Sequence, residues 1–491
     1  MSETASNRAS WSGQVAFILA AAASAIGLGN LWRFPYLAAQ YGGGTFIVVY
    51  LALVVTLGFT LMVTEISIGR MTHQSQLTAY SKLHRGFGPL GMLATVIPVV
   101  IVPYYCVIGG WVLKYFWTYA GMLVSGTDGV NGFQKLGEAG EVVAEGAGGF
   151  FVSFITAPFA PFGYGLLFIA VCALVIALGV KHGIEKSNLV LMPLLLVMAV
   201  GIALYVMFIP GSADGIKYYL VPNMDALRDF SGAFSLAQLA RTVLGAMGQM
   251  FYSLSLAMGI MITYGSYMRP TDSIEKSVRR IEVFDTVIAI VAGMMIIPVV
   301  YMFAVKTGTP VHEAMNAGPG LMFVTLPRVF ADFGRAGAFV GSAFFLLVAF
   351  AALTSAISLY EACVASVCDL LGMKRRNATF FMFFVIAFLA VFSALGYGVW
   401  GGIKPFGLEF LDFFDFVTNS LLMPIVAIVT CVFVGWVIKP AAIEAEVLKG
   451  EKRFAARGLY SVMVKYVAPV LIGAVLVSEI CRNLGLFGWK I

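Results

Sequence analysis

The chain of 491 residues is 60% hydrophobic and only 11% charged, and its mean hydropathy is +0.92. Soluble globular domains are about half apolar and about a quarter charged, so this composition excludes a soluble protein. The formal net charge of +6 would suit an acidic partner, but the cations fall in every second connection between apolar stretches. That distribution is typical of membrane topology and does not indicate a nucleic-acid partner.

Apolar stretches recur along the whole chain. A bilayer core of about 30 Å requires roughly 20 apolar residues per helix, and about eleven stretches reach that length. The first has no small-residue cleavage site behind it, so we expect it to be retained. The expected segments are 13–38, 45–70, 89–124, 163–181, 188–210, 241–268, 278–305, 337–372, 378–398, 406–437 and 459–485. The sequence predicts an all-α polytopic membrane protein that forms a single membrane domain over residues 1–491.

The connections predict how the chain is oriented. Lys and Arg residues in alternate connections place those connections in the cytoplasm. The long connection from about 126 to 161 is rich in glycine and carries four carboxylates against one lysine, so we expect it outside. The prediction is a multi-pass protein of the inner (plasma) membrane with a cytoplasmic N-terminus. Because the helix count is odd, the C-terminus is expected outside.

Residues that support enzyme chemistry are scattered. The four histidines lie in connecting loops, and most of the six cysteines lie within apolar stretches. Neither set has the spacing of a metal site, and no nucleophile has a base beside it. We therefore expect no enzyme activity, no metal cluster and no disulfide.

Two apolar segments carry glycine and polar residues at bilayer depth. They are "SAIGLGN" in the first segment and "SLSLAMG" in the sixth. Non-helical backbone is tolerated in a membrane only where it is buried in protein or lines a cavity. Broken segments five apart predict a 5+5 inverted repeat, about 11–210 and 240–437, with an extra helix at about 459–485. The alternative is a close helix contact through small residues.

Ionisable side chains within the apolar segments are few, and each costs roughly 3 kcal/mol or more unless it is paired or faces water. Arg33 lies about one turn beyond the first break, and Asp415 lies early in the tenth segment at a similar depth. The two charges are predicted to close an outer gate. A static pair that orients the helices is the alternative.

Five motifs occur in order along the chain: "SAIGLGNLWRFP", "YGGGTF", "GQMFYSLSLAMG", "ALTSAIS" and "LDFFDF". Together they resemble the successive signatures of the neurotransmitter:sodium symporter family, in its bacterial amino-acid transporter branch. The resemblance spans almost the whole chain. It implies a sodium-coupled amino acid symporter that works by alternating access.

The resemblance implies a substrate site at the two breaks, where free N–H groups at a half-helix N-terminus attract a carboxylate. Leu28 and Gly29 would supply those donors, and the Tyr105 hydroxyl would join them. A mostly apolar lining implies a neutral aliphatic or aromatic side chain. The matching positions are Ser24, Ala25, Leu28, Gly29, Ile101, Tyr105, Ile108, Phe251, Tyr252, Ser253, Ser255, Met258, Ser355 and Leu359.

The resemblance also implies two sodium ions, which prefer hard oxygen ligands as other hard cations do. Both ions would lie beside the breaks, and the substrate carboxylate would complete the shell of the first. Thr354 and Ser355 could instead bond only to the helix backbone. The positions are Ala25, Asn30, Ser253 and Asp285 for the first ion, and Ala23, Ile26, Ala351, Thr354 and Ser355 for the second.

Chloride-dependent members of the family bind the anion at positions matching Tyr50, Gln249, Ser253 and two further positions on the seventh helix. Here those two are Asp285 and Ala289. A fixed carboxylate at Asp285 would take over the role of the anion. The resemblance therefore implies transport without chloride.

The family's gates also have matching positions: Arg33, Gln249 and Asp415 outside, and Arg8, Tyr267 and Asp369 inside. Two other functions stay open. A biogenic-amine carrier of the same family is one, although the neutral side chain of Ser24 favours an amino acid. An ion channel or membrane enzyme is the other, and the chain shows neither a continuous polar stripe nor a cluster of catalytic bases.

Overall fold

The computed structural model describes residues 8–127, 133, 135–136, 142–144, 146–228, 232–315 and 318–483. Within these residues the chain forms eleven membrane helices, numbered in chain order. They are α1 (Gln14–Ala25 and Gly29–Gln40), α2 (Gly44–Thr72), α3 (Arg85–Ser125), α4 (Ala160–Ala177), α5 (Val180–Met207), α6 (Leu236–Ser253 and Ile260–Gly265), α7 (Ile274–Thr307), α8 (Arg335–Leu371), α9 (Arg375–Leu395), α10 (Phe410–Val437) and α11 (Arg457–Cys481). The predicted all-α polytopic fold is confirmed.

Each predicted segment overlaps one of these helices. Nine continuous helices in the described part of the chain are long and apolar enough to cross a membrane, and the two halves of α1, bent by 51°, make a tenth. Helix α6 is divided into two shorter halves by its break. The boundaries move by several residues because polar residues extend the helices. The side chain of Ser273, for example, caps α7 by accepting a bond from the Lys276 N–H at 3.2 Å.

The breaks in α1 and α6 contain backbone conformations that a continuous helix lacks. In α1, Ile26 ends the first half with φ −80° and ψ 93°, and the second half begins with a π-helical turn at Gly29. In α6, Ser255, Ala257 and Gly259 have φ values of 54°, 58° and 74°. Positive φ is uncommon for residues with a Cβ, so the surrounding protein must hold this segment in place.

Small residues let the helices around the breaks approach closely. A Cβ added to Gly265 of α6 would lie 2.5 Å from the Ile66 carbonyl oxygen of α2. A Cβ added to Gly110 of α3 would lie 2.5 Å from the Gly165 backbone nitrogen of α4. Such contacts are typical of membrane helix interfaces. Helix α3 packs along α8, and α1 packs against α7 and α8, so the two breaks lie inside the protein.

The connections carry short elements of their own. These are the helices Gln76–Leu83, Gly146–Ile155, Ser212–Leu220, Met224–Leu227, Val311–Ala314, Leu321–Ala331, Pro405–Gly407 and Pro440–Val447, and an antiparallel pair of strands, Lys135–Leu136 and Val142–Ala144. The carboxylates expected outside at 128, 138, 141 and 145 are not among the described residues. The end of the extra helix beyond 483 and both chain termini also lie outside them.

Candidate functional site

A small cavity lies where the two breaks meet. It contains about 330 Å³ of space not occupied by atoms, and α1, α3, α6 and α8 supply its walls. The lining residues are Ser24, Ala25, Gly27, Gly29, Asn30, Ile101, Tyr105, Tyr252, Ser255, Met258, Ile260, Ser355 and Leu359. Most of the substrate positions named from the sequence are therefore brought together.

The other predicted substrate positions lie around this cavity. Leu28 is fully buried behind the break, and Ile108 lines a larger cavity on the outer side. Phe251 and Ser253 are buried in α6 without lining the small cavity. Ile260, at the start of the second half of α6, lines it and was not named from the sequence.

Backbone and hydroxyl groups form one polar end of the cavity. The Leu28 N–H, at the start of the second half of α1, donates to the Tyr105 hydroxyl at 3.3 Å. The Ser255 hydroxyl donates to the Ser24 carbonyl oxygen at 3.2 Å. Donors at a half-helix N-terminus next to acceptors from the facing break can hold both ends of a zwitterion.

Two glycines allow α1 to approach its neighbours at this end. A Cβ on Gly27 would lie 2.6 Å from the Ser355 Oγ and 2.9 Å from the Tyr105 hydroxyl oxygen. A Cβ on Gly29 would overlap the ring of Tyr252. Any side chain at either position would fill the cavity or displace its walls. The motif pointed to Gly29, whereas Gly27 was missed as a lining residue.

A buried carboxylate lies directly beside the cavity. Asp285 of α7 accepts from the Asn30 amide at 2.8 Å and from the Ser253 hydroxyl at 2.7 Å, both at Oδ1. Its Oδ2 accepts from the Tyr50 hydroxyl at 3.0 Å. Asn30, Asp285 and Tyr50 are each 0% exposed. Three of the four predicted ligands of the first ion are thus in contact, and the fourth, Ala25, lines the adjoining cavity.

The positions predicted for the second ion lie between α1 and α8. The Ser355 hydroxyl donates to the carbonyl oxygens of Ser24 at 3.0 Å and Ile26 at 3.4 Å. The Thr354 hydroxyl instead bonds to carbonyls of its own helix, those of Phe350 and Ala351, at 3.1 Å each. Ala23, the remaining position, is buried in α1. Ser355 therefore links the two helices. Thr354 bonds only to its own helix, which is the alternative to sodium binding given in the sequence analysis.

A wide vestibule lies outside the small cavity. It contains about 2570 Å³ of space not occupied by atoms, and Arg33, Asp415, Tyr104 and Tyr252 help to line it. Arg33 lies over the ring of Tyr252 at 5.9 Å, and Asp415 accepts from the Tyr104 hydroxyl at 3.1 Å. Among the described residues, no ion pair joins Arg33 to Asp415. The two charges share one vestibule without closing it.

The Gln249 side chain connects the vestibule side of α6 to α1. Its amide donates to the Gly29 carbonyl oxygen at 3.1 Å. Its Oε1 is buried and has no hydrogen-bond partner within the described part of the protein. Gln249, predicted as part of the outer gate with Arg33 and Asp415, thus bonds to the first break, and no hydrogen bond joins it to Arg33 or Asp415 among the described residues.

The opposite side of the cavity is closed. Arg8 forms an ion pair with Asp369 at 2.7 Å, and its guanidinium lies 5.1 Å from the centre of the Tyr267 ring. Trp11 is buried beneath this pair and donates through Nε1 to the Tyr264 carbonyl oxygen at 3.0 Å. The three residues predicted for the inner gate are in direct contact, and Trp11 adds a plug that was not predicted.

A carboxylate of α2 holds the break in α6. Glu65 Oε1 accepts from the Ala257 N–H at 2.7 Å, and Glu65 is only 4% exposed. The bond satisfies a backbone donor that a broken helix leaves without a partner. Glu65 lies within an apolar segment, and its partner in the break of α6 was not predicted from the sequence.

A membrane protein with two broken helices around a buried polar cavity has the architecture of a secondary transporter. A family model described as the sodium:neurotransmitter symporter family matches residues 8–124 and 164–486. The chain therefore belongs to the sodium:neurotransmitter symporter family, as its motifs predicted. It is a multi-pass, sodium-dependent transporter of that family.

Two curated relatives are named as sodium-dependent transporters, and a solved structure of similar fold holds an amino acid. The chain is 31% identical to an uncharacterized sodium-dependent transporter, YhdH, of Bacillus subtilis, over 94% of this chain and 95% of the relative. It is 27% identical to the sodium- and chloride-dependent GABA transporter 2 of Rattus norvegicus, over 88% of this chain and 73% of the relative. The crystal structure of MhsT in complex with L-phenylalanine shares 33% identity and a TM-score of 0.80, and covers 96% of this chain and 100% of that one.

Proposed function

We propose that this protein couples the uptake of neutral, hydrophobic L-amino acids to two sodium ions and does not require chloride. The observation that carries the proposal is the division of the cavity into a polar end and an apolar wall. Leu28 N–H and Tyr105 form the end that suits a carboxylate. Ile101, Met258 and Leu359 form a wall that excludes charged side chains, since their desolvation would not be compensated.

The same lining favours an amino acid over a biogenic amine. None of the residues that line the cavity is Asp or Glu. An amine without its own carboxylate would bury an unpaired positive charge, which is strongly unfavourable. Because the carboxylate beside the cavity, that of Asp285, is assigned to the first sodium ion, the substrate would bring its own negative charge.

The proposed sodium sites explain how the ions and the substrate are coupled. Asn30, Ser253 and Asp285 supply hard oxygen atoms for the first ion, next to Ala25 in the cavity wall. A substrate carboxylate at the polar end could complete that shell. Carbonyl groups of Ala23, Ile26 and Ala351 with the hydroxyls of Thr354 and Ser355 form the second site. Each ion would then favour the arrangement in which α1 and α6 enclose the substrate.

Alternating access follows from the two gates. The open vestibule and the closed Arg8–Asp369 pair correspond to a conformation that admits ligands from the outside. Approach of Arg33 to Asp415 would then close the vestibule, and separation of Arg8 from Asp369 would release the ligands inside. We propose that repeats of about 11–210 and 240–437 move in this cycle. We also propose an inner (plasma) membrane location with the N-terminus in the cytoplasm and the C-terminus outside.

Equilibrium binding of labelled L-phenylalanine to the purified protein tests the substrate assignment. We expect saturable binding that requires sodium and is competed by L-leucine. Phenylethylamine, which lacks only the carboxylate, is the matched competitor and should not compete. Competition by phenylethylamine as strong as that by L-phenylalanine would favour the amine carrier. Absence of sodium-dependent binding for every hydrophobic amino acid would refute the proposal.

A further inference from the structure

Four cations without partners lie close together at the start of α7 and in the connection that leads to α11. Lys276 and Arg280 extend from the first turns of α7, and Lys452 and Arg453 follow the helix Pro440–Val447. All four are exposed. In the part of the chain that the structure describes, none of their side chains forms a hydrogen bond or an ion pair. These four residues are called the basic surface.

Hydrogen bonds join the two segments into one surface. Glu451 accepts from the Glu275 N–H at 2.8 Å and from the Ser273 hydroxyl. Glu275 in turn accepts from the N–H groups of Ala455 and Ala456 at 2.9 and 3.1 Å. The connection is therefore fixed along the first turn of α7 on both sides of Lys452 and Arg453.

Most carboxylate oxygens of this region bond within the protein, whereas Glu282 Oε1 is buried without a hydrogen-bond partner in the described part of the chain. Glu446 forms ion pairs with the buried Arg70 and with Lys449, each at 2.7 Å. Glu282 pairs with Arg279 at 3.1 Å, and Glu275 and Glu451 hold backbone N–H groups. The acids are thus used to fix the connection, whereas the cations of the basic surface point outward. Glu275 and Glu451 keep their negative charge in these hydrogen bonds, so the four cations of the basic surface leave a net positive charge of two there.

The basic surface continues into a lipid-facing strip. Val283 and Val287 of α7 are 61% and 45% exposed. With Arg280 they follow the spacing of one helix face, so the cation lies one turn before the apolar residues. The residues just before α11, Ala455 and Ala456, bond to Glu275, and on α11 itself Leu459 and Val462 are exposed as well. In such an arrangement the cations can contact an anionic lipid headgroup, and the exposed apolar residues can contact the acyl chains of the same lipid.

We propose that the basic surface binds the phosphate headgroup of an anionic membrane phospholipid, whose acyl chains lie along Val283 and Val287. The cations also follow the positive-inside rule, but that role requires only their location in a loop. The positive-inside rule does not explain why the carboxylates of this region bond within the protein while the adjacent cations have no partner. Because the connection is bonded to Ser273, the lipid would also steady the link between α6 and α7.

Native mass spectrometry of the full-length protein tests the proposal, with phosphatidylglycerol and phosphatidylcholine as the probes. In one variant Lys276, Arg280, Lys452 and Arg453 are all replaced by Gln. The control variant replaces by Gln four exposed cations at or next to the first turns of α5 and α9: Lys181, Lys186, Lys374 and Arg376. We expect phosphatidylglycerol to bind the parent and the control equally and the first variant at least about tenfold more weakly. Phosphatidylcholine should bind all three proteins alike.

Equal loss of phosphatidylglycerol from both variants would overturn the proposal, because it would show a general charge effect. Displacement of the lipid by inorganic phosphate at low millimolar concentration would also overturn it, since the site would then take a free anion. Thermal unfolding in detergent without lipid checks that the first variant is folded. If it is not, the pairs Lys276→Gln with Arg280→Gln and Lys452→Gln with Arg453→Gln are measured separately, and each should weaken binding partially.

Discussion

Asn30 and Asp285 are 255 positions apart in the chain, yet the amide of one donates to the carboxylate of the other at 2.8 Å. The contact joins the break of α1 to α7 at a buried point beside the cavity. Ser253 and Tyr50 donate to the same carboxylate. A fixed negative charge therefore lies where the residues of the proposed first sodium site converge.

This arrangement predicts that chloride has no effect on transport. Opposite charges a few ångströms apart at low effective dielectric interact by several kcal/mol, roughly 4 kcal/mol at 4 Å, so Asp285 can replace a bound anion. Sodium-driven uptake should be the same in chloride and in gluconate. A double variant, Asp285→Asn with Ala289→Ser, should gain some dependence on chloride. Loss of sodium-driven uptake by the parent protein in gluconate would refute this prediction.

Ser355 is predicted to bind the second sodium ion. Ser355→Ala removes an oxygen that now contacts the Ser24 carbonyl group at 3.0 Å. The loss should resemble that of a hydrogen bond to a charged group, about 1.5 kcal/mol, so half-maximal substrate binding should require about tenfold more sodium. Ser366→Ala is the matched control, because the Ser366 hydroxyl bonds only its own helix at the Ala362 carbonyl group. An unchanged sodium dependence in Ser355→Ala would favour a purely structural hydroxyl.

Met258 is predicted to set the size of substrate that the cavity admits. Met258→Phe places a rigid ring in a wall that a flexible thioether now forms. Competition binding should show a loss of affinity for tryptophan and tyrosine of at least about fivefold relative to leucine, as expected from overpacking of about 1–3 kcal/mol. Met258→Leu, which nearly conserves volume, is the control. Equal losses of affinity for all substrates would show that Met258 stabilises the break in α6 and does not determine substrate selectivity.

Much of the site was predictable from the motifs, whereas its hydrogen-bond partners were not. Tyr105, Ser255 and Leu359 were placed at the cavity because the motifs match those of a known family, and the structure brings them together. The bond from Ala257 to Glu65 was missed because it joins residues 192 positions apart. Apolar periodicity predicts which segments are helices, but it does not show which faces of distant helices meet.

The position of Ile108 along its helix also shows what the sequence could not predict. Its match to the family predicted a place in the substrate pocket, and the structure puts it in the outer vestibule. It lies one turn of α3 beyond Tyr105, so a single turn moves a side chain from one cavity to the other. Thr354 likewise has a hydroxyl of the expected type that points back to its own helix.

Asp415 is predicted to act in closure of the vestibule. Asp415→Asn keeps an oxygen that can accept from Tyr104 but removes the charge that would attract Arg33. The maximal uptake rate should fall by about tenfold, corresponding to a barrier higher by about 1.4 kcal/mol, while sodium affinity in equilibrium binding should change little. Asp412→Asn is the control, since Asp412 lines the same vestibule. Unchanged uptake kinetics in Asp415→Asn would remove the gate assignment.

The most direct measurement of the central claim is uptake of labelled L-phenylalanine into proteoliposomes that contain the purified protein. An inward sodium gradient should drive saturable accumulation above the external concentration, and an equal potassium gradient should not. Asp285→Ala, which removes the carboxylate beside the cavity, should abolish the accumulation without unfolding the protein in a thermal assay. Accumulation that is equally fast without sodium, or uptake that never rises above equilibration, would contradict sodium-coupled symport.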